Sequence, residues 1–417
     1  MIAKYIRIYY STEKVECIGL EVNNAPAPHL GKHAIKWYDG CKKALLKAVF
    51  IMKSRQDIYV TYGTDAGAMA KAVLSAAEMA AAVPDRDALI GLKPNLVLAS
   101  PAGLGATTHP EMAAGAIEYF LEMGFRNIVI LEGSWVGART AEAFRACGYR
   151  ELESRYGTPL WDTQKSPTRE RDCAGMRLNI CECVEKVEFL VNMPVLKGHC
   201  QTAVTCALKN LKGLIPDGEK RRFHSMGLMK PIAHLAAGIR QDFVLVDAVC
   251  GDLDFEEGGN PVRRDQVLGF FDPVLCDAYA CRALGYRLSD APYIQLAEQL
   301  GVGCADLEAA RTHLLGEPGA ARANLRADGR VKRLGAHVDA RDACSACYAN
   351  LIYALLRLEE EGGLGGLREK IAIGQGYRGL SGSLGIGRCA GGFLQCIPGC
   401  PPDAEAIAAF LREKLRR

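Results

Sequence analysis

No apolar run in this sequence approaches the roughly 20 residues that a membrane-spanning helix needs. The first residues, Met1 to Tyr10, lack a basic segment, an apolar segment and a small-residue cleavage site. These absences predict a cytoplasmic protein with no secretory signal and no membrane partner. A charge imbalance is missing too: 51 Lys and Arg face 48 Asp and Glu, and the net charge of +3 is dispersed. That excludes the electrostatic footprint of a nucleic-acid binder. There is no internal repeat at solenoid spacing. No glycine-rich fingerprint precedes a helix, which argues against a nicotinamide or ATP role.

What is present is an ordinary soluble composition, 49% hydrophobic and 24% charged, over 417 residues. That length predicts two or three domains. Short β-branched runs alternate with longer amphipathic stretches. Strands are expected at Ile58–Tyr62, Leu89–Leu92, Ile128–Leu131, Phe189–Val191, Phe243–Val246 and Val267–Phe270. Helices are expected at Asp65–Ala82, Pro110–Met123, Gly137–Ala146, Thr202–Asn210, Met229–Gly238 and Pro273–Ala283. This alternation predicts an α/β fold, with a largely parallel sheet covered by helices on both faces. The α/β domain is expected over 1–315 and an Ala/Gly/Arg-rich linker over 316–340. A small cysteine-rich module is expected over 341–417.

Cysteine is abundant, with 17 residues. Inside a cell these do not form a disulfide framework, so most are buried small hydrophobes and any at ligand spacing are candidates for metal. Cys344-Ser-Ala-Cys347 opens a helical stretch, Tyr348 to Glu359, whose N-terminus offers N–H groups to an anionic cluster. Cys389, Cys396 and Cys400 follow, the last before Pro401-Pro402. Five thiols for four ligands leave one spare. Cys389 and Cys400 read as loop ligands, whereas Cys396 follows Phe393 and Leu394 and reads as core. The expected set is Cys344, Cys347, Cys389 and Cys400 around one 4Fe-4S cluster, with Cys396 in reserve and structural zinc as the alternative.

Four candidate strands run into polar residues: Lys93 and Asn95, Glu132, Asn192 with Lys197 and His199, and Asp247 with the acidic loop Asp252, Asp254. Open parallel sheets bind ligands beyond such ends. Thr107-Thr108-His109-Pro110 reads as a helix N-cap, with Thr108 as the capping residue. On the expected helix Thr202–Asn210, residues Thr202, Thr205 and Lys209 share one face. Lys197 and His199 before it suit a carboxylate or phosphate. Buried lysines need a carboxylate or a ligand, so Lys197 and Lys209 are expected to pair with Glu132 or Asp247, or to face a site. His224 and His234 are expected as ordinary hydrogen-bonded histidines, with a role as metal ligands, alongside His109 and His199, as the alternative.

Lys93-Pro94-Asn95, the Thr107–Pro110 stretch, Asn192-Met193-Pro194 with Lys197-Gly198-His199, and Leu208-Lys209-Asn210-Leu211-Lys212-Gly213 carry a resemblance. Together with Val246-Asp247 and Gly258-Gly259-Asn260-Pro261, they resemble the domain-of-unknown-function family 362 over roughly residues 88 to 290. The resemblance implies the α/β fold and C-terminal iron–sulfur cysteines, commonly in a double-cluster run. Here there is one set, ending like hydrogenase small subunits. No substrate is implied.

The expected function is an iron–sulfur oxidoreductase or electron-transfer protein acting on an anionic small molecule, with a redox protein as possible partner. Lys93, Asn95, Lys197, Thr202, Lys209, Asn210 and Lys212 would bind the ligand, and His199, Asp247 and His109 would serve as acid–base groups. The rivals are a non-redox metal enzyme of racemase or hydrolase type with a structural cluster or zinc, and a redox-sensing binding module. Oligomeric state is not legible.

Overall fold

The computed structural model describes residues 55–317 and 329–415. Met1 to Tyr10 and the 318–328 part of the expected linker lie outside them.

Strands β1 (Asp57–Tyr62), β2 (Ile90–Pro94), β3 (Ile128–Glu132), β4 (Leu160–Asp162), β7 (Phe189–Met193), β10 (Phe243–Asp252), β11 (Pro261–Phe270) and β12 (Arg311–Leu315) form one eight-stranded sheet. Its order is β12-β1-β11-β10-β7-β2-β3-β4. The run β10-β7-β2-β3-β4 is parallel throughout, and β11 alone runs antiparallel to its neighbours β1 and β10. The sheet is buried on both faces because its side chains alternate between two apolar cores. Val244, Val246 and Leu190 enter one; Phe243, Leu245, Phe189 and Val191 enter the other. This is the pattern of central strands between two helical layers. Two short hairpins lie outside the sheet: β5 (Thr168–Cys173) with β6 (Met176–Cys181), and β8 (Lys197–His199) with β9 (Ala203–Thr205).

The β8–β9 hairpin corrects one expectation. Thr202–Asn210 is not a continuous helix. The β-branched Val204 and Thr205 extend as a strand, and Ala203 takes a left-handed φ of 62°. Helix begins only at Ala207, for one turn to Asn210. Its first N–H groups, at Ala207 and Leu208, are capped by the carboxylate of Asp277 from a distant helix.

Beyond residue 330 the chain builds a second layer. A helix at Arg330–Gly335 precedes a four-stranded parallel sheet of β13 (Val338–Ala340), β14 (Ile371–Ile373), β15 (Leu384–Ile386) and β16 (Gln395–Ile397). Thus 330–340 of the expected linker is helix and strand. Helices Ser345–Glu360 and Ala404–Leu415 pack on this sheet around their own core, which also takes Phe255 from the α/β part. No helix among the described residues is long and apolar enough to cross a membrane.

Candidate functional site

Parallel pairing puts the carboxyl ends of β2, β3, β7 and β10 on one edge of the large sheet, with Lys93 in register beside Asn192. Each charged group there is buried, so each must find a partner. The Lys93 side chain is 0% exposed and donates to Glu132 Oε2 at 2.8 Å and to the Pro94 carbonyl at 3.0 Å. Lys197 donates to the carbonyls of Ala106 at 2.5 Å and Glu256 at 2.7 Å. Burial draws its ammonium down to about 8, against the pull of Glu256.

Glu256 organises the next group. One carboxylate oxygen accepts from Lys209 and the other pairs with His199 Nε2 at 2.8 Å. Burial would raise this carboxyl, but Lys209 and His199 outweigh it and hold it well below the usual range. His199 Nδ1 accepts the N–H groups of Gln201 and Thr202, so both ring nitrogens are occupied. Burial, then the charge of Lys209, pushes the ring down to about 4, and it is a neutral imidazole. Lys209 therefore pairs with the Glu256 carboxylate and Lys197 with its backbone carbonyl, and neither with Glu132 or Asp247; Lys209 also faces the cavity, the other expected alternative. Sequence reasoning missed Glu256; the only signal was its place in the acidic loop after Asp252 and Asp254.

His109 and Asp247 form a separate pair. Asp247 Oδ2 accepts from both Nδ1 of His109, at 2.8 Å, and its backbone N–H, at 2.7 Å. Burial opposes charge on the ring, but Asp247 prevails and holds it up to about 10. Thr108 does not cap the following helix as expected. Its hydroxyl donates to the Met193 carbonyl and accepts from the N–H of Asn95, tying two strand ends together. Thr202 likewise turns inward, to the Val204 carbonyl. Asn210 donates to Asn192 Oδ1 at 2.7 Å.

A cavity of about 70 Å³ opens beside these groups. Of the expected binding residues, Asn95, Lys209, Asn210 and Lys212 line it, whereas Lys93, Lys197, Thr202, His199, His109 and Asp247 do not. Its wall is completed by Lys220, Arg221 and His224, none expected there, and by Cys344, Ser345 and Ala346 of the C-terminal layer. Lys220 is satisfied by the Ser134 carbonyl at 2.6 Å and Asp217 at 3.2 Å. His234, the other histidine expected to be ordinary, bonds the Cys173 carbonyl at 2.9 Å.

The thiols follow from the small sheet. Its strands are parallel, so the loops leaving them share one edge, as ligand-bearing loops do in larger sheets. Cys344, Cys389 and Cys400 stand in the loops after β13, β15 and β16, and Cys347 lies one turn into the helix after Cys344. Burial first, and then the negative potential of Cys344, Cys400 and Cys389, pushes the Cys347 thiol up to about 12. Cys344, Cys400 and Cys389 thus stand within electrostatic reach of Cys347. Arg378, in the loop after β14, donates to Cys389 Sγ at 3.5 Å. Cys396 sits within β16 itself, and its thiol contacts the Gly387 and Ile397 carbonyls at 3.6 Å.

Residues 90–282 match the family described as Domain of unknown function (DUF362). This is the family expected from the Lys-Asn-Leu-Lys-Gly stretch. Among curated proteins the chain is similar to Thylakoid-associated protein sll1697 of Synechocystis sp., at 23% identity over 180 residues. That match covers 42% of this chain and 54% of the relative, so the chain spans about half the length of the curated protein it matches. Among solved structures it is similar to the lactate racemase apoprotein from Thermoanaerobacterium thermosaccharolyticum. The identity is 12% and the TM-score 0.36, with 54% of this chain and 56% of that one covered. The DUF362 region contains the whole lysine-bearing edge, and the four thiols lie outside it.

Proposed function

We propose that the protein is an iron–sulfur oxidoreductase or electron-transfer protein, acting on an anionic small molecule in the cavity between the DUF362 region and the thiol edge. The observation that carries this reading is Cys344, which belongs at once to the group of four thiols and to the cavity wall.

The donor set suits a 4Fe-4S cluster on Cys344, Cys347, Cys389 and Cys400. Four thiolates on one zinc would stand about 3.8 Å apart, from a Zn–S distance of about 2.3 Å. Among the described residues, the only three ligand atoms within 4.8 Å of one another belong to Cys206, Cys276 and Asp277. The four C-terminal thiols are more open, which favours a cluster that presents a different iron to each. When bound, the cluster supplies one-electron transfer. The chain's own part is to hold an anion against it: Lys209 and Lys212 attract it, Asn95 and Asn210 orient it, and Glu256 keeps Lys209 in place. Arg378 beside Cys389 offers positive charge where a redox protein partner would approach.

Anaerobic purification with iron, zinc and sulfide analysis and an EPR spectrum before and after reduction tests this reading. The expected result is equal iron and acid-labile sulfide, lost or degraded in Cys344→Ala, Cys347→Ala, Cys389→Ala and Cys400→Ala, and kept in Cys396→Ala. Stoichiometric zinc without sulfide rejects it.

A further inference from the structure

Three groups in the cavity wall have no side-chain partner among the described residues. Lys212 and Arg221 line it, and their side chains make neither a hydrogen bond nor an ion pair with any described residue. His224 is 8% exposed, lines the same cavity, and its ring is likewise unbonded. Every other charged group of the wall is satisfied: Glu132 by Lys93, Glu256 by Lys209, and Lys220 by Asp217 and Ser134. The N-terminus of helix Ser345–Glu360 meets the cavity at Ser345 and Ala346, and no side chain caps it. His224 is buried and Lys212 and Arg221 are half-buried, so each gains from a group that arrives in the cavity to bond it.

We infer that Lys212, Arg221 and His224 form the contact set for a doubly charged oxyanion group, a phosphate or a pair of carboxylates on a small molecule, seated on the first turn of helix Ser345–Glu360 beside Cys344. This rests on the reading of the cavity as the anion site and names its ligand class and contacts. Arg221 carries a fixed charge, and Lys212, which burial and then Lys209 push down to about 7, is held protonated by a dianion that arrives beside it. Arg221 presents a planar fork suited to paired oxygens and Lys212 a point charge. The helix N-terminus adds N–H groups of the right polarity. His224 is neutral there, because burial and then the charges of Lys212, His199 and Lys209 push its ring well below the ordinary range. A neutral imidazole has one N–H to donate to an anion oxygen.

The test is calorimetric titration of the anaerobically purified full chain with inorganic phosphate, with malonate, and with acetate as the singly charged control. Saturable 1:1 binding of at least one dianion, tighter than acetate, is expected. Lys212→Met and Arg221→Met, which keep the apolar stems, and His224→Ala should each weaken it by roughly tenfold or more at unchanged iron content and thermal midpoint. Binding of phosphate alone assigns a phosphoryl group, and of malonate alone a dicarboxylate. The inference is overturned by absence of saturable dianion binding, or by wild-type affinity in all three variants. It is equally overturned if Lys212→Met and Arg221→Met lose iron while dianion affinity stays, since the two cations then serve the cluster's charge. Dianion binding by a chain that holds no iron or sulfide would remove the cluster reading and leave this one standing.

Discussion

Side chain by side chain, the lysine-rich edge is governed by which carboxylate reaches which cation. Lys93 takes Glu132, Lys209 takes Glu256, and Asp247 is left for His109. Each carboxylate has further partners that hold it in place: Glu132 the N–H of Gly133, Asp247 those of His109 and Val249, and Glu256 the ring of His199. The His109–Asp247 pair has a signed consequence. A histidine held up to about 10, above its unfolded value near 6.5, contributes stability that is fully present below pH 6.5. That contribution is lost as pH rises through 10. Nitrogen-15 spectra of the imidazole rings should show His109 as imidazolium at pH 8. In Asp247→Asn it should be neutral there. A neutral His109 at pH 8 in the wild type disproves the charged pair.

At the level of elements, one-turn pieces and tight loops place the site. The stretch Leu208-Lys209-Asn210-Leu211-Lys212-Gly213 presents Lys209 and Lys212 to the cavity because a single turn of helix passes at once into a 3-10 turn, Leu211–Leu214. Gly213 is required at its end. A Cβ there would lie 2.0 Å from Glu132 Oε1 and 2.6 Å from Lys93 Nζ. Gly213→Ala must separate that ion pair and leave two buried charges short of a partner, so urea unfolding should show a loss of about 3 kcal/mol or more. A loss below about 0.5 kcal/mol would mean that the pair relaxes freely. The thiol edge obeys similar logic. Three-residue parallel strands deliver Cys344, Cys389 and Cys400 to one side, whereas Cys396, inside a strand, is held by its pleat.

Across the whole molecule, the cavity exists only because the C-terminal layer lies on the DUF362 region. Phe255, 1% exposed, leaves the acidic loop to enter the C-terminal core and meets Tyr353 edge-on at 5.9 Å. Gln201 bonds the Ala343 carbonyl and Ser345, next to Cys344, at 3.0 Å each. Phe255→Ala should cost about 3–5 kcal/mol and loosen this seam. Limited proteolysis should then cut the C-terminal layer sooner than in wild type, with faster iron release to a chelator. An unchanged cleavage pattern would mean that the seam is held by its polar contacts alone.

How much of this was legible beforehand follows from range. Strand and helix alternation, the polar strand ends and the family resemblance depend on neighbours in the chain, and the sequence by itself determined them. The helix expected from Thr202 starts only at Ala207, because its capping carboxylate, Asp277, comes from another helix about 70 residues on. Lys197 and Lys209 announced a need for negative charge, but many carboxylates answer that description. Only the folding of the acidic loop onto β8 and the one-turn helix selected Glu256. His224 read as ordinary because its lack of a partner is a property of the space around it. Local periodicity decides elements; pairing of buried charges and the groups left unpaired are decided by which distant segments the fold brings within about 3 Å, the reach of a hydrogen bond.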